Sequence, residues 1–558
     1  MKSKKILAAV LTSVFLSTTV LLAGCNAKKT ETEKPVADKI DADQTINIVG
    51  YDYKSLDPSV CSDAESFTTH SNVYEGLVKE VEKNGVVGIE LAGAEKITTN
   101  ADKTVYTFKL RDTKWSDGKA VTAKDYVFSW TRLADPKTAA DYMMFLDEIG
   151  VKNAKEFSEG KVGADQLGVK AVDDKTFEVT LKAPTAFFEN ACAFKALAPG
   201  REDLAKAQGD KYGTDFKTMA FNGPFVVADY QKGSKVVYKK NETYWNAKAI
   251  KLQTCNAHVI DEPATVVKMF ESKELDMAGA TGDDLAKLKK KAEAGEFKHI
   301  TGYDPSVSYL YLNVEKSVLK NTKVRQALSL SVNKQQFLDV VFKRHYPAFG
   351  IVPQKMAVGT KDYRKEVAEP LKAVKEDPKK LMEEGLKELG ITDASKVELT
   401  ILNGKQNATS KALSEYFQKT FLDTFGIKLN IKYSVDNPTY FTERQKGNFD
   451  ICSGGWGADY NDANSFFACF TSDSQNNNGK YNSPEYDKWV KDAAKESDSA
   501  KRVEMYKKAE EQILVKDAAL IPTHYRDINN FRHNYLKGMY LPQFGGYFDL
   551  ANVYVSGK

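Results

Sequence analysis

In the first half of the chain, apolar and polar positions alternate in short runs. Thr45–Tyr53 alternates and runs into the turn Ser55-Leu56-Asp57-Pro58, and Glu65–Leu77 reads as a helix closing at Gly76. Tyr106, Phe108 and Leu110 alternate with Thr107 and Lys109, and Phe177, Val179 and Leu181 repeat the pattern, so each predicts a half-buried strand. Between them, Ser116-Asp117-Gly118 is a turn and Thr122 a helix cap, with Tyr126, Val127 and Trp130 forming the apolar face that follows. Ala264–Lys273 is a further helix, and Gly302 breaks the chain before Ser308–Asn313.

After Lys320 the period lengthens and helix alternates with strand. The pattern predicts a helix capped by Asn321 or Thr322, a strand over Val397–Leu402, a helix over Ser410–Phe425, a strand over Lys428–Tyr433 and a helix over Pro438–Lys446. A last helix places Val503, Tyr506, Ala509 and Ile513 on one face. This is the texture of an α/β lobe. With the hairpin-rich first half it predicts two lobes, the chain returning to the first from Ile521 onward.

One stretch of the second lobe carries candidate chemistry. Asn448–Phe470 begins as a strand through Phe449, Ile451 and Cys452, and the glycines that follow are expected to end regular pairing. Gly454, Gly455 and Gly457 leave the main chain bare, so a second backbone can lie against it. Trp456 supplies a rigid wall, Asp459 a carboxylate two residues past the last glycine, and Asn464–Phe470 opens a helix. A glycine loop between strand and helix is the usual ligand position in open α/β sheets. The bland alternative is a tight turn with a surface Trp and a capping Asp.

Composition narrows the classes. The 80 basic and 76 acidic residues among 558 nearly cancel, to a net +4, which leaves no nucleic-acid footprint. The 27 Tyr, 29 Phe and 5 Trp suit packing and also a cleft lined with rings. No HExxH, GxSxG, GxxxxGK[ST] or strand-linked GxGxxG occurs, and the six His are scattered, so neither a catalytic constellation nor a metal site or cofactor is expected. A secreted peptidase, the competing class, lacks a nucleophile or metal set. The amino terminus is an address: Lys2, Lys4 and Lys5 precede an apolar run from Ile6 to Leu22 that closes with Leu22-Ala23-Gly24-Cys25. It resembles a bacterial lipoprotein signal whose cleavage leaves Cys25 to be lipidated. A membrane span is the alternative, weakened by Thr and Ser in a short run. Residues 26–44 are polar and form a tether. Of the other five cysteines, Cys452 and Cys469 flank the glycines, and a bridge between them would stiffen the loop.

Seven stretches in order (WSDGKAVTAKDYVFSWTRLADPKTAADY, GVKAVDDKTFEVTLKAP, FNGPF, NETYWNAK, HVIDEPATVVKMFESKELDM, NTKVRQALSLSVNKQQF and GWGADYNDANSFF) closely resemble the oligopeptide-binding lipoproteins of ABC importers, solute-binding proteins of the peptide/nickel class. The resemblance runs from about residue 45 to the carboxyl end. It implies an α/β, two-lobed, periplasmic-binding-protein type II-like fold with an inserted domain, three domains in all, closing like a hinge. Residues 45–80, 212–303 and 522–558 would form lobe I, 81–211 the inserted domain and 304–521 lobe II. An extended oligopeptide would lie between the lobes, paired to Gly454, Gly455 and Gly457 on one side and to the Ser62-Asp63-Ala64 edge on the other. Asp459 would hold its α-ammonium, with Tyr142 and Tyr309 lining the cleft beside Trp456. The resemblance further implies a non-enzymatic monomer, lipid-anchored outside the cell membrane, that docks on an ABC permease; a receptor for dipeptides, metal chelates or another small solute is the alternative within the family. Two departures stand out. Some members carry Arg where this chain has Ser453, and Cys, bridged to a Cys near Ser306, where it has Gly457.

Overall fold

The computed structural model describes residues 39–83 and 86–558. Cys25, the signal segment and most of the expected tether lie outside the described residues. No helix among the described residues is long and apolar enough to cross a membrane.

Three sheets organise the chain from Ile40 onward. The first has four strands: Thr45–Gly50 pairs in parallel with Thr254–Val259, and Lys235–Lys240 and Phe225–Gln231 follow antiparallel. The second is antiparallel and built from Ala94–Thr99, Val105–Leu110, Thr176–Thr180 and Val169–Asp173. Its alternation is the one visible in the sequence: Tyr106, Phe108, Phe177 and Val179 are buried, and Lys109 is exposed. The helix Ala123–Ala134 covers this sheet; Thr122 and Asp125 form a capping box at its start, and Tyr126 and Trp130 are fully buried. Val127 is half-buried, so the apolar face is Tyr126, Trp130 and Leu133 at helical spacing.

The third sheet has seven strands and is mixed. Glu398–Asn403 pairs in parallel with Lys428–Tyr433 and briefly with Ile451–Gly457, the helix Ala408–Phe425 making the crossover that parallel strands require. Two long strands, Lys298–Leu312 and Leu520–Arg532, run antiparallel through the middle, and Met277–Gly279 pairs at the far edge. The lobe boundaries expected at 303/304 and 521/522 fall inside these two strands. Their register is irregular between Tyr303 and Val307 and again between Ser308 and Tyr309.

The glycine segment differs from the sequence reading. Glycine does not end the strand here; pairing with the long strand continues from Leu312/Ile451 to Ser306/Gly457. Gly454 is required by packing, because a Cβ there would lie 2.6 Å from Tyr311 Cε2 and 3.1 Å from Tyr309 Cε2. Tyr309 is accordingly a core ring. It is 1 % exposed, meets Tyr311 and Phe470 edge-on, and its hydroxyl is 3.1 Å from that of Tyr311. Odd positions of this strand, Val307, Tyr309 and Tyr311, face one core and Leu310 and Leu312 the other, so Tyr309 is turned away from any cleft. The five described cysteines are all free and buried, and Cys452 and Cys469 are not bridged.

Candidate functional site

The main-chain edge of Ile451–Gly457 comes first, because hydrogen-bond parity fixes which groups are available. Ala458 N–H donates to Pro305 C=O at 2.9 Å, so Ala458/Pro305 is a bonded position of the antiparallel ladder. By alternation Trp456 and Gly454 also turn their N–H and C=O toward the long strand, and Ser453, Gly455 and Gly457 turn theirs away. On that outer side the neighbouring strand pairs only at Ile401/Ile451 and Leu402/Cys452. The Ser453 carbonyl accepts from the Tyr440 hydroxyl. Gly455 and Gly457 are exposed, and no strand among the described residues covers that edge. An added Cβ at Gly457 would meet nothing closer than 3.9 Å. Exposed strand edges of this kind accept a further strand.

Past the strand, the turn from Ala458 to Asn464 is held rigidly. Asp462 and Arg502 form a two-pronged pair at 2.8 and 2.9 Å, each side chain 1 % exposed. Asn461 Nδ2 donates to Val87 C=O at 2.9 Å, Asn190 Nδ2 donates to Asn461 C=O at 3.0 Å, and the rings of Phe187 and Tyr460 stack at 5.0 Å. These contacts tie the 81–211 region to the turn that carries Asp459. Trp456 is half-buried, packs against the core that holds Tyr309 and Tyr311, and donates through Nε1 to Ser465 Oγ at 3.3 Å. Ser465 Oγ also accepts from Asp459 N–H at 3.1 Å, which aims the carboxylate.

Asp459 sits deep in the crevice with one side-chain partner, the Tyr142 hydroxyl, which donates at 2.9 Å across from the 81–211 region. Burial pushes its carboxyl up to about 6, against the lowering effect of that hydrogen bond. A cation arriving beside Asp459 favours its ionised form and offsets the cost of burying that charge.

Asp459, Tyr142, Gly457, Ser62 and Ala64 line one open cavity of about 760 Å³, so five of the nine sequence-derived binding residues come together there. Gly455 is the next open position along the edge; Gly454 and Tyr309 belong to the packing beneath it. Ser62 donates to Asp141, and Asp63 caps the helix Ala64–Val73 by accepting from Ser66 N–H at 2.8 Å, which fixes the opposite wall. Two cations escaped the sequence reading. Arg526 lines the cavity from the long strand Leu520–Arg532. Arg444, on the helix Asn437–Gln445, lies over the rings of Phe441 and Tyr440 at 4.9 and 5.5 Å, near Ser453. Its Nε is buried with no acceptor among the described residues. Neither stands in a motif; only the fold brings them to the edge.

Against this geometry, residues 88–478 match the profile of the bacterial extracellular solute-binding proteins, family 5 (middle region). The chain belongs to this family. It is a solute-binding protein and not an enzyme. The periplasmic oligopeptide-binding protein OppA of Salmonella typhimurium is 33% identical over 488 residues, covering 85% of this chain and 86% of that protein. A dipeptide-binding protein of Lactococcus lactis is 28% identical over 571 residues, covering 100% of each chain. The structure of Listeria monocytogenes OppA bound to peptide superimposes with a TM-score of 0.75 at 30% identity, covering 93% of this chain and 100% of that one. The fold is the two-lobed periplasmic-binding-protein type of the OppA structures, with the several sheets described above.

Proposed function

We propose that the chain is a receptor that binds oligopeptides in extended form between its lobes and delivers them to an ABC permease, held at the outer face of the cell membrane by lipid on Cys25. The observation that carries this reading is the unpaired main-chain edge at Gly455 and Gly457 ending at the half-buried carboxylate of Asp459. A peptide laid against that edge gains main-chain hydrogen bonds that do not depend on its sequence, and its α-ammonium is the cation that Asp459 lacks. Ser62 and Ala64 supply the second wall and Tyr142 orients the carboxylate. The 760 Å³ cavity leaves side chains room for bridging water, which makes for tolerance.

The edge also suggests a length. From Ala458 back to Ser453 is about 17 Å at ~3.4 Å per residue, which fits roughly five ligand residues. Arg444 marks the far end and offers a cation to a ligand carboxylate, replacing one that Ser453 cannot provide. That span favours oligopeptides over the dipeptide named for the Lactococcus relative. The domain division at 80/81, 211/212, 303/304 and 521/522, with closure about the irregular part of the two long strands, belongs to the same proposal.

Incubating the purified protein with a mixed peptide pool and identifying what it retains by mass spectrometry tests the reading. Retention of intact peptides of about five residues supports it. Shortened peptides, or retention of a non-peptide solute alone, would overturn it.

A further inference from the structure

We propose that Arg526 gives this receptor a preference for peptides whose first residue has a carboxylate side chain. The proposal rests on the peptide reading above, since the first residue is the one whose ammonium meets Asp459. Arg526 projects from Leu520–Arg532 into the 760 Å³ cavity that Asp459 and Gly457 also line, and its side chain is 51% exposed. Ser306, 3 % exposed, fixes it from below: Arg526 Nε donates to Ser306 Oγ at 2.6 Å. Arg526 Nη2 lies 3.3 Å from both carboxylate oxygens of Asp304, an exposed ion pair, and Nη1 has no acceptor among the described residues. The outer edge of the guanidinium is therefore held in place and open, the arrangement that suits two-pronged binding of a carboxylate.

Position identifies which ligand residue it reads. A Cβ at Gly457 would lie 3.9 Å from Arg526 Nη2, so the guanidinium stands beside the bare glycine at the Asp459 end of the edge. The other charges facing the cavity are committed or opposite in sign. Arg344 is bound to Asp527 through Nε at 2.8 Å and Nη2 at 2.7 Å. Asp261 and Asp304 are anions on the same wall, and Asp459 serves the ammonium. Arg526 is the cavity cation that stands beside Gly457, with Nη1 open among the described residues, and a Glu or Asp side chain two or three bonds from the ligand's first Cα is of the right length and charge. A Lys or Arg first residue would instead face it directly.

Isothermal titration calorimetry at pH 7.5 on the mature protein tests this, using five-residue peptides identical except for Glu, Gln or Lys at position one, and a second set with Glu or Gln at positions two and three. The Glu-first peptide is expected to bind about tenfold more tightly than its Gln-first isostere, and the Lys-first peptide more weakly than either. In Arg526→Met the Glu/Gln ratio should fall below about twofold; because it is a ratio, a general loss of affinity in the variant cancels. Equal affinity of Glu-first and Gln-first peptides in the wild type, an unchanged ratio in Arg526→Met, or a preference confined to position two or three would overturn the assignment while leaving peptide binding intact. If none of the peptides bound, the peptide reading itself would fall.

Discussion

At the scale of single residues, the proposed role of Asp459 would couple pH to both stability and ligand. Its carboxyl titrates near 6 in the folded protein because burial outweighs the Tyr142 hydrogen bond, against ~3.9 in an unfolded chain. A raised folded value means that its contribution to stability is full below the unfolded value and is lost as pH rises through about 6. Asp459→Asn should therefore stabilise the unliganded protein at pH 7.5, by an amount on the order of 1 kcal/mol in chemical denaturation. The same variant should weaken peptide binding by on the order of 10²–10³, the cost of leaving a buried ammonium unpaired. In the wild type, peptide affinity should decline as pH falls below about 6, because the protonated carboxyl no longer pairs with the ammonium; an affinity flat from pH 7.5 to 5 would count against the clamp. Sequence could single out Asp459 as a carboxylate after the glycines and Trp456, with its role implied by the family resemblance; its hydrogen bond to Tyr142 comes only from the fold. Tyr309 was not: a Tyr in an alternating strand faces cleft or core with equal ease, and only the ladder register decides.

At the scale of elements, the glycine strand carries two different demands. Gly454 makes room for the Tyr309 and Tyr311 rings, so Gly454→Val should cost several kcal/mol in stability, of the kind seen for overpacked cores (~1–3 kcal/mol or more), read as a lower thermal midpoint. At Gly455 a Cβ would come within 3.1 Å of the Val307 carbonyl oxygen, whereas at Gly457 it would meet nothing closer than 3.9 Å. Replacing one ligand amide by an ester at a residue paired to Gly457 should weaken binding by roughly 0.5–1.5 kcal/mol, with side chains unchanged. An ester ligand as tight as its amide would contradict main-chain pairing. The Asp462–Arg502 pair holds the turn behind them, and Asp462→Ala, which strands a buried guanidinium, should lower stability by about 3–5 kcal/mol in denaturant titration. Periodicity found most of the surrounding elements because their apolar faces are genuinely one-sided, as in Ala123–Ala134. It misjudged the glycine strand because strand propensity measures side-chain packing, and this strand is held by its main chain and by a neighbour's rings.

Across the whole molecule, the site exists because distant segments meet. The edge comes from residues 451–457, the opposing wall from 62–64, the carboxylate's hydroxyl partner from residue 142 and the cation beside Gly457 from residue 526. The 81–211 region meets the turn after the glycine strand through Asn190, Phe187 and Val87, so movement of one part relative to another changes the surroundings of Asp459 directly. Sequence periodicity could separate a hairpin-rich first half from an α/β second half, because each carries its own period. It could not show Arg526 and Arg444 at the edge, since neither stands in a local pattern and both arrive there by tertiary packing. The central claim is that ligand is recognised by its backbone and its free amino end. Calorimetry on one five-residue peptide, with its amino end free and then acetylated, tests it most directly. The account predicts that acetylation raises the dissociation constant by about a hundredfold or more, and equal binding of the two forms would contradict it.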